Sequence, residues 1–216
     1  ETVPAAATGF NHNQYINSCT NVTLRGNLVL RASSQGTKLS TESAVDFDTL
    51  LVDNCCYIEG EIGVGAGGNE AGSFRFINFT VKDCVMMWMG RAQPTGGDLG
   101  WFIVFKDQDG GLIEGNLLLY QTLAATPNSV GIIFSSSSSR NVTVRNNIIY
   151  EVQGTGIEFT INTETGIAVQ NNDLQDPVED PHLVVYSGSF SAVTFSGNRY
   201  FSSAAAGSWF SVGGSN

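Results

Sequence analysis

One turn of this chain, Lys106-Asp107-Gln108-Asp109-Gly110-Gly111, brings a cation and two carboxylates together. Asp107 and Asp109 stand at alternate positions and offer the hard oxygen ligands that Ca²⁺ takes. Two carboxylates do not close a calcium site, however, and Asp-Gly is equally the residue choice of an ordinary turn. No other cofactor is suggested. Asp46, Arg75, Lys106 and Asp107 are of the types that move protons or hold an anionic substrate, and they are the catalytic candidates. The plainer reading of Asp46 and Arg75 is a surface ion pair worth less than about 1 kcal/mol. Glycoside hydrolysis by two carboxylates needs a facing pair at a set separation, and only loop shape decides whether Asp46, Asp107 and Glu158 supply one. A metal centre of the Cys and His kind is not expected, because His12 and His182 lie far in sequence from Cys19, Cys55, Cys56 and Cys84.

The elements that must carry these groups are set by a repeat. An apolar residue, any residue, a small or polar residue and then Asn or Cys recur as Leu24 to Asn27, Val52 to Cys55, Val81 to Cys84, Ile113 to Asn116, Val144 to Asn147, Val169 to Asn172 and Phe195 to Asn198. The fourth positions follow one another at intervals of 25 to 32 residues, so one structural unit runs the length of the chain. Two residues before the phrase stands an apolar residue in every copy but the one preceded by Gly111, and two residues after it stands a bulky one, from Val29 and Tyr57 to Leu174 and Tyr200. Alternation at period two on both sides of a polar bend predicts strand, sharp turn, strand. Asn and Gly tolerate the left-handed backbone of such a bend.

A third strand is expected upstream of each phrase, ending at Phe47, Phe76, Phe105, Phe134, Phe159 and Tyr186, spaced by 25 to 29 residues. One ring per coil would stack on the next at about 4.8 Å. Three parallel strands per coil with one aromatic and one Asn stack resemble the right-handed parallel β-helix, the fold of pectate lyases, polygalacturonases and many phage tailspikes. The resemblance covers roughly residues 15 to 212. It implies an all-β solenoid of about seven coils of 25 to 32 residues, three strands each, in a single domain over 1–216, with 1–14 irregular and 208–216 beginning a further coil.

It also implies where a substrate would lie, on the outer face of the third strand. Residues just before the aromatic ladder, Asp46, Arg75, Val104, Ile133, Glu158 and Val185, should form that outward row. The enzyme motifs themselves are missing: the polygalacturonase Asn-Thr-Asp, Asp-Asp, Gly-His-Gly and Arg-Ile-Lys elements are absent, and only Arg75 and Lys106 are placed to serve as the base of a calcium-dependent lyase.

Cys55 and Cys84 hold the Asn position in consecutive coils, so they should stack, either as a disulfide or as two buried thiols. Asn21, Asn78 and Asn141 head Asn-X-Thr sequences and are glycosylation candidates, although a turn-forming Asn before alternating residues follows from the repeat as well. Trp88 and Trp101 share the parity of Met86 and Phe105, which predicts core packing over sugar stacking. The net charge is −10 and the pI near 4.4, with basic residues scattered singly, so no nucleic-acid partner is expected. No apolar run has the length of a membrane span. The chain starts at Glu1 without Met, as a mature secreted protein or a fragment would.

Neither end carries an obvious cap, which favours self-association, including head-to-tail stacking into filaments. Trp209 and Phe210 near the end, with Val104 and Ile133 on the outer face, are the assembly candidates. The expectation is therefore a secreted or cell-surface solenoid of structural or adhesive role, self-associating, with carbohydrate as a further partner. The alternative is a polysaccharide lyase or glycoside hydrolase.

Overall fold

The computed structural model describes residues 8–41, 46–67, 75–121, 128–135, 139–160, 164–175, 184–186, 192–203 and 209–213. The chain enters through β1 (Gln14–Asn17), β2 (Thr20–Arg25) and β3 (Leu28–Ser40), followed by β4 (Phe47–Asp53), β5 (Cys56–Ala66), β6 (Phe76–Lys82) and β7 (Val85–Met89). Then come β8 (Gly100–Phe105), β9 (Gln108–Glu114), β10 (Leu117–Leu119), β11 (Ser129–Phe134), β12 (Arg140–Arg145) and β13 (Ile148–Tyr150). The last are β14 (Thr155–Phe159), β15 (Ile167–Gln170), β16 (Asp173–Gln175), β17 (Val184–Tyr186), β18 (Val193–Ser196), β19 (Arg199–Phe201) and β20 (Phe210–Val212). Every pairing is parallel and joins a strand to its counterpart one coil away, so the chain is a parallel β-solenoid. Among the described residues no helix is long and apolar enough to cross a membrane.

The solenoid has three sides. β2, β4, β6, β9, β12, β15 and β18 form a seven-stranded sheet that carries the repeated phrase. The strands after the bend, from the first half of β3 through β19, form a second side, here called the flank. The third side runs from β1 and the second half of β3 through β8, β11, β14 and β17 to β20. β3 and β5 pass around the corner from flank to third side without interruption, with a register shift between Ala32 and Gln35.

The expected seven like coils become about five full turns. β2 and β18 each have a neighbour on one side only, and Val22, Leu24 and Phe195 on them are only partly buried. Between the ends the inward residues make one continuous core, in which Phe79 meets Phe105 at 4.9 Å, Phe105 meets Phe134 at 5.8 Å and Phe134 stacks on Phe159 at 4.8 Å.

The third strands of two coils are not where the aromatic spacing puts them. Phe47 and Phe76 open β4 and β6, stack on each other at 5.5 Å and pair in register with Gln108, not with Phe105. The strand residues aligned with Phe105 in those coils are Ala66 and Leu39. Segments 42–45 and 68–74, outside the described residues, separate the true third strands from β4 and β6.

Three corners per coil take the left-handed backbone. At the first stand Asn21, Thr49, Asn78, Gly110, Asn141 and Gly166; at the second Gly26, Asn54, Asp83, Gly115, Asn146, Asn171 and Gly197. Asn and Gly dominate both because an L side chain with a β-branch clashes there. Thr49, at φ 56°, is the β-branched exception, and it is exposed, with its hydroxyl donating to Asp48 Oδ1 at 2.9 Å. Thr49→Asn is expected to raise folding stability by about 1 kcal/mol, read as a higher urea midpoint; a lower midpoint would show that the corner is not strained.

Candidate functional site

Asp46 and Arg75 lie at the entrances of β4 and β6, one coil apart. The Arg75 backbone N–H donates to Asp46 Oδ1 at 2.9 Å, and the Arg75 carbonyl accepts the Phe47 N–H, also at 2.9 Å. The carboxylate therefore closes a strand entrance, and neither residue belongs to the outward row on the third side. That row reads Tyr15, Lys38, Gly65, Val104, Ile133 and Glu158.

Val104 and Ile133, expected on an open surface, are each only 4 % exposed. They form a second apolar cluster outside the solenoid wall with Ile62 and Val130, covered by Leu99 and Trp101. The excursion that supplies Leu99 is pinned by polar contacts. Thr95 donates from its backbone N–H at 2.9 Å and its hydroxyl at 2.6 Å to the buried Glu61 carboxylate. Gln93 bonds both to the Leu99 carbonyl at 2.6 Å and from the Leu99 N–H at 3.1 Å.

Trp101 is turned outward, against its expected parity. Phe102 and Ile103 both join the core, so two consecutive residues face inward and alternation is broken just after Trp101. Its indole N–H donates to Asn128 Oδ1 at 3.2 Å. Trp88 is likewise not core: it occupies a left-handed corner at φ 60°, half-buried, with the Arg91 guanidinium 5.8 Å from its ring centre.

Beside Trp101 the third side holds a shallow cleft of about 50 Å³, open to solvent and lined by Gln35, Lys38, Ile62, Gly65, Gly67, Val104 and Lys106. Glycines in its floor leave room for the side chains above them. A Cβ on Gly65 would stand 2.0 Å from Gln35 Oε1, and one on Gly67 would stand 2.7 Å from Lys106 Cδ. Gln35 Oε1 is buried and meets no donor among the described residues. Most basic side chains elsewhere are held by carboxylates: Arg25 by Asp53, Arg31 and Arg91 by Glu59, Arg140 by Asp109, Arg145 by Glu114 and Arg199 by Asp173. Lys106 has no carboxylate partner among the described residues, and it shares the cleft with Lys38. Past Lys38, Tyr15 is exposed and stacked with His12 at 5.6 Å. Burial, and next the charge of Lys38, holds the His12 imidazole below its ordinary range.

Asp107 and Asp109 are drawn apart from the cleft. Asp107 is 3 % exposed at a corner, and Asp109 pairs with Arg140 and accepts from Asn141 Nδ2 at 3.1 Å. The Arg140 hydrogen bond holds the Asp109 carboxyl below the usual carboxylate range. Among the described residues no three His, Cys, Asp or Glu side chains converge as a metal site. Cys55 and Cys84 do stack, as free thiols and not as a bridge: the Cys55 N–H donates to Cys84 Sγ at 3.5 Å. Asn21, Asn78 and Asn141 are exposed corner residues. Trp209 and Phe210 are partly buried against the last coil of the core, where Phe210 meets Tyr200 at 5.0 Å.

Gln35 and Lys38 were missed because the third strand of that coil was expected to end at Phe47. Also missed was the alternation of sign at the second phrase position, Arg25, Asp53, Lys82, Glu114 and Arg145, which builds a ladder of ion pairs along the seven-stranded sheet. Exposed pairs of this kind contribute less than about 1 kcal/mol each.

The comparison with protein families returns one description, right-handed beta helix region, matching residues 15–199. Neither the curated proteins nor the solved structures give a match.

Proposed function

The chain belongs to the right-handed β-helix family, and from that premise we propose that it is a secreted, non-catalytic module of adhesive role that holds an anionic carbohydrate in the Lys38 and Lys106 cleft. The observation that carries this reading is the grouping of two lysines, an outward indole and an unmet amide oxygen over a glycine floor, on a chain of net charge −10. Lysine ammonium groups donate to a sugar carboxylate. The Trp101 face takes the apolar side of a ring. At about 50 Å³ the cleft is several-fold smaller than the 300–1,000 Å³ usual for small-molecule pockets. A polymer lying across the coils, with one carboxylate at the cleft and further units toward Tyr15, suits it better than an enclosed small ligand.

The enzyme reading draws less support, since Asp46 and Asp109 are engaged in strand-entrance and ion-pair contacts. Binding of polygalacturonate and of neutral dextran to the whole chain tests the proposal. Polygalacturonate is expected to bind, to weaken as salt is raised, and to be lost at least tenfold in Lys106→Glu with the melting temperature unchanged. Equal binding of both polymers would sink the charge reading, and binding of neither would sink the carbohydrate reading. New unsaturated or reducing ends in the same mixture would establish the lyase or hydrolase instead.

A further inference from the structure

The first corner of the coil and the outer position two residues after it vary together. Asn21, Asn78 and Asn141 hold that corner in alternate coils, all three exposed. Each is followed by an inward residue, Val22, Phe79 or Val142, and then by an outward threonine, Thr23, Thr80 or Thr143. In the coils between them the corner is Thr49, Gly110 or Gly166, and the residues in register with those threonines are Leu51, Leu112 and Ala168. The left-handed backbone explains an Asn or a Gly at the corner. It does not explain the threonine, because the same row of the same sheet accepts leucine and alanine. Thr194, in that row without a corner Asn, has a bond of its own and donates to the Ile167 carbonyl at 3.3 Å. Among the described residues the Thr23, Thr80 and Thr143 hydroxyls make no hydrogen bond, to their Asn or to anything else. The fold therefore accounts for each asparagine and leaves its threonine without a structural task.

We propose that Asn21, Asn78 and Asn141 are N-glycosylated and carry a column of glycans along this one corner of the solenoid. Asn-X-Thr is the acceptor sequence of oligosaccharyl transfer, which explains why the threonine accompanies the asparagine. The donor is an oligosaccharide held on a lipid diphosphate. Asn Nδ2 forms a bond to the anomeric carbon, the bond from that carbon to the diphosphate oxygen breaks, the lipid diphosphate leaves with the electron pair, and one Nδ2 proton passes to a base of the transferase. The folded corner has room for the product. Asn78 Oδ1 lies over Gly110 and Asn141 Oδ1 over Gly166, where an added Cβ would stand at 2.9 and 3.0 Å, so the next coil is pared back to glycine beside the acceptor. Asn141 Nδ2 donates to Asp109 Oδ1 at 3.1 Å. Transfer replaces one of the two amide hydrogens, and the other remains for that contact. Placement in alternate coils sets the glycans about 10 Å apart, twice the strand spacing, which separates neighbouring sugar chains at their roots. Such a column keeps this edge of the solenoid in solvent. The inference shares with the proposed function only the export of the chain and makes no use of the cleft.

The test is mass spectrometry of the chain isolated from its natural source and treated with peptide N-glycosidase in heavy-oxygen water, which leaves a labelled aspartate at each modified site. Label is expected at Asn21, Asn78 and Asn141. A chain with no label, or with label at a single site, overturns the proposal. A second arm separates the acceptor from the corner role, using the full chain made in the secretory pathway of cultured eukaryotic cells with Thr23→Val, Thr80→Val and Thr143→Val. Each variant keeps its corner Asn and places an apolar residue in a row that already holds Leu51 and Leu112. Each should lose one glycosidase-sensitive step in mobility, and after deglycosylation each should melt with the wild type. A variant that keeps every step, or that loses none and melts lower, assigns the threonine to structure and sinks the idea. Polygalacturonate binding by a chain that carries no glycan would leave the cleft reading standing while this one falls, so the two failures are told apart.

Discussion

Asn147→Ala should lower folding stability by about 4 kcal/mol. Asn147 is 1 % exposed, and its side chain is bonded on every side. Its Oδ1 accepts the Asn116 backbone N–H at 3.0 Å and the Asn116 amide at 2.9 Å, while its Nδ2 donates to the Ile113 carbonyl and to Asn172 Oδ1, both at 2.9 Å. Alanine removes both roles and leaves a buried N–H and a buried carbonyl without these partners, at about 1–3 kcal/mol each. In a chain of this size the melting temperature should fall by roughly 10 °C. Asn198→Ala makes the control. Asn198 forms the same bonds to Asn172 and Val169 but is only partly buried at the last rung, where water replaces what is lost, so about 1 kcal/mol is expected. Asn147→Cys should fall between wild type and alanine, because the chain already places Cys55 and Cys84 on this ladder, where Cys84 Sγ accepts the Cys55 N–H and Cys55 Sγ approaches the Asn27 amide at 3.8 Å. Equal losses at Asn147 and Asn198 would mean that the ladder is incidental to stability.

That ladder was legible in the sequence because its cause is local. A bend that needs a left-handed residue, followed by a residue able to bond one coil onward, fixes both residue type and spacing, and the phrase therefore returns with little variation. The third side is governed otherwise. It is joined to the seven-stranded sheet by excursions of different length, and in two coils an intervening segment placed Phe47 and Phe76 at the interval expected of the true ladder residues. An aromatic ring does not report which side of a solenoid it serves, since both sides offer the same apolar interior. Leu39 and Ala66, the true partners of Phe105 in register, carry no such signature. Trp101 was misplaced for a related reason: the consecutive inward residues Phe102 and Ile103 turn the strand at a corner, and period-two reasoning fails there. The cleft went unseen for want of these assignments, because Gln35, Lys38 and Lys106 meet only once Lys38 is set beside Gly65 and Lys106 follows the strand of Phe105.

The other large effect concerns alkaline pH. Burial pushes the Cys84 thiol up to about 12, with the negative charges of Cys55, Asp53 and Asp83 adding to the rise and the hydrogen bond from the Cys55 N–H opposing it. An unfolded thiol titrates near 9.0. Between these values the unfolded chain has released the proton and the folded chain has kept it, so the unfolded state binds fewer protons and stability falls as pH rises. The contribution is fully present below about pH 9 and declines by about 1.4 kcal/mol per unit above it, a loss of about 4 kcal/mol in all by about pH 12. Burial raises the Tyr57 phenol in the same direction, so the two losses add at the upper end of the range. Cys84→Asn separates them. An asparagine at 84 restores the residue type of the neighbouring rung at Asn116 and removes the thiol, so the decline between pH 9 and 10 should nearly vanish while the tyrosine contribution above pH 10 persists. Urea unfolding at fixed temperature across this range reads the slope directly. A wild-type curve that is flat from pH 9 to 10, or rapid alkylation of Cys84 by iodoacetamide in the native protein at pH 8, would show that the thiol is not held in the ladder as a buried neutral group.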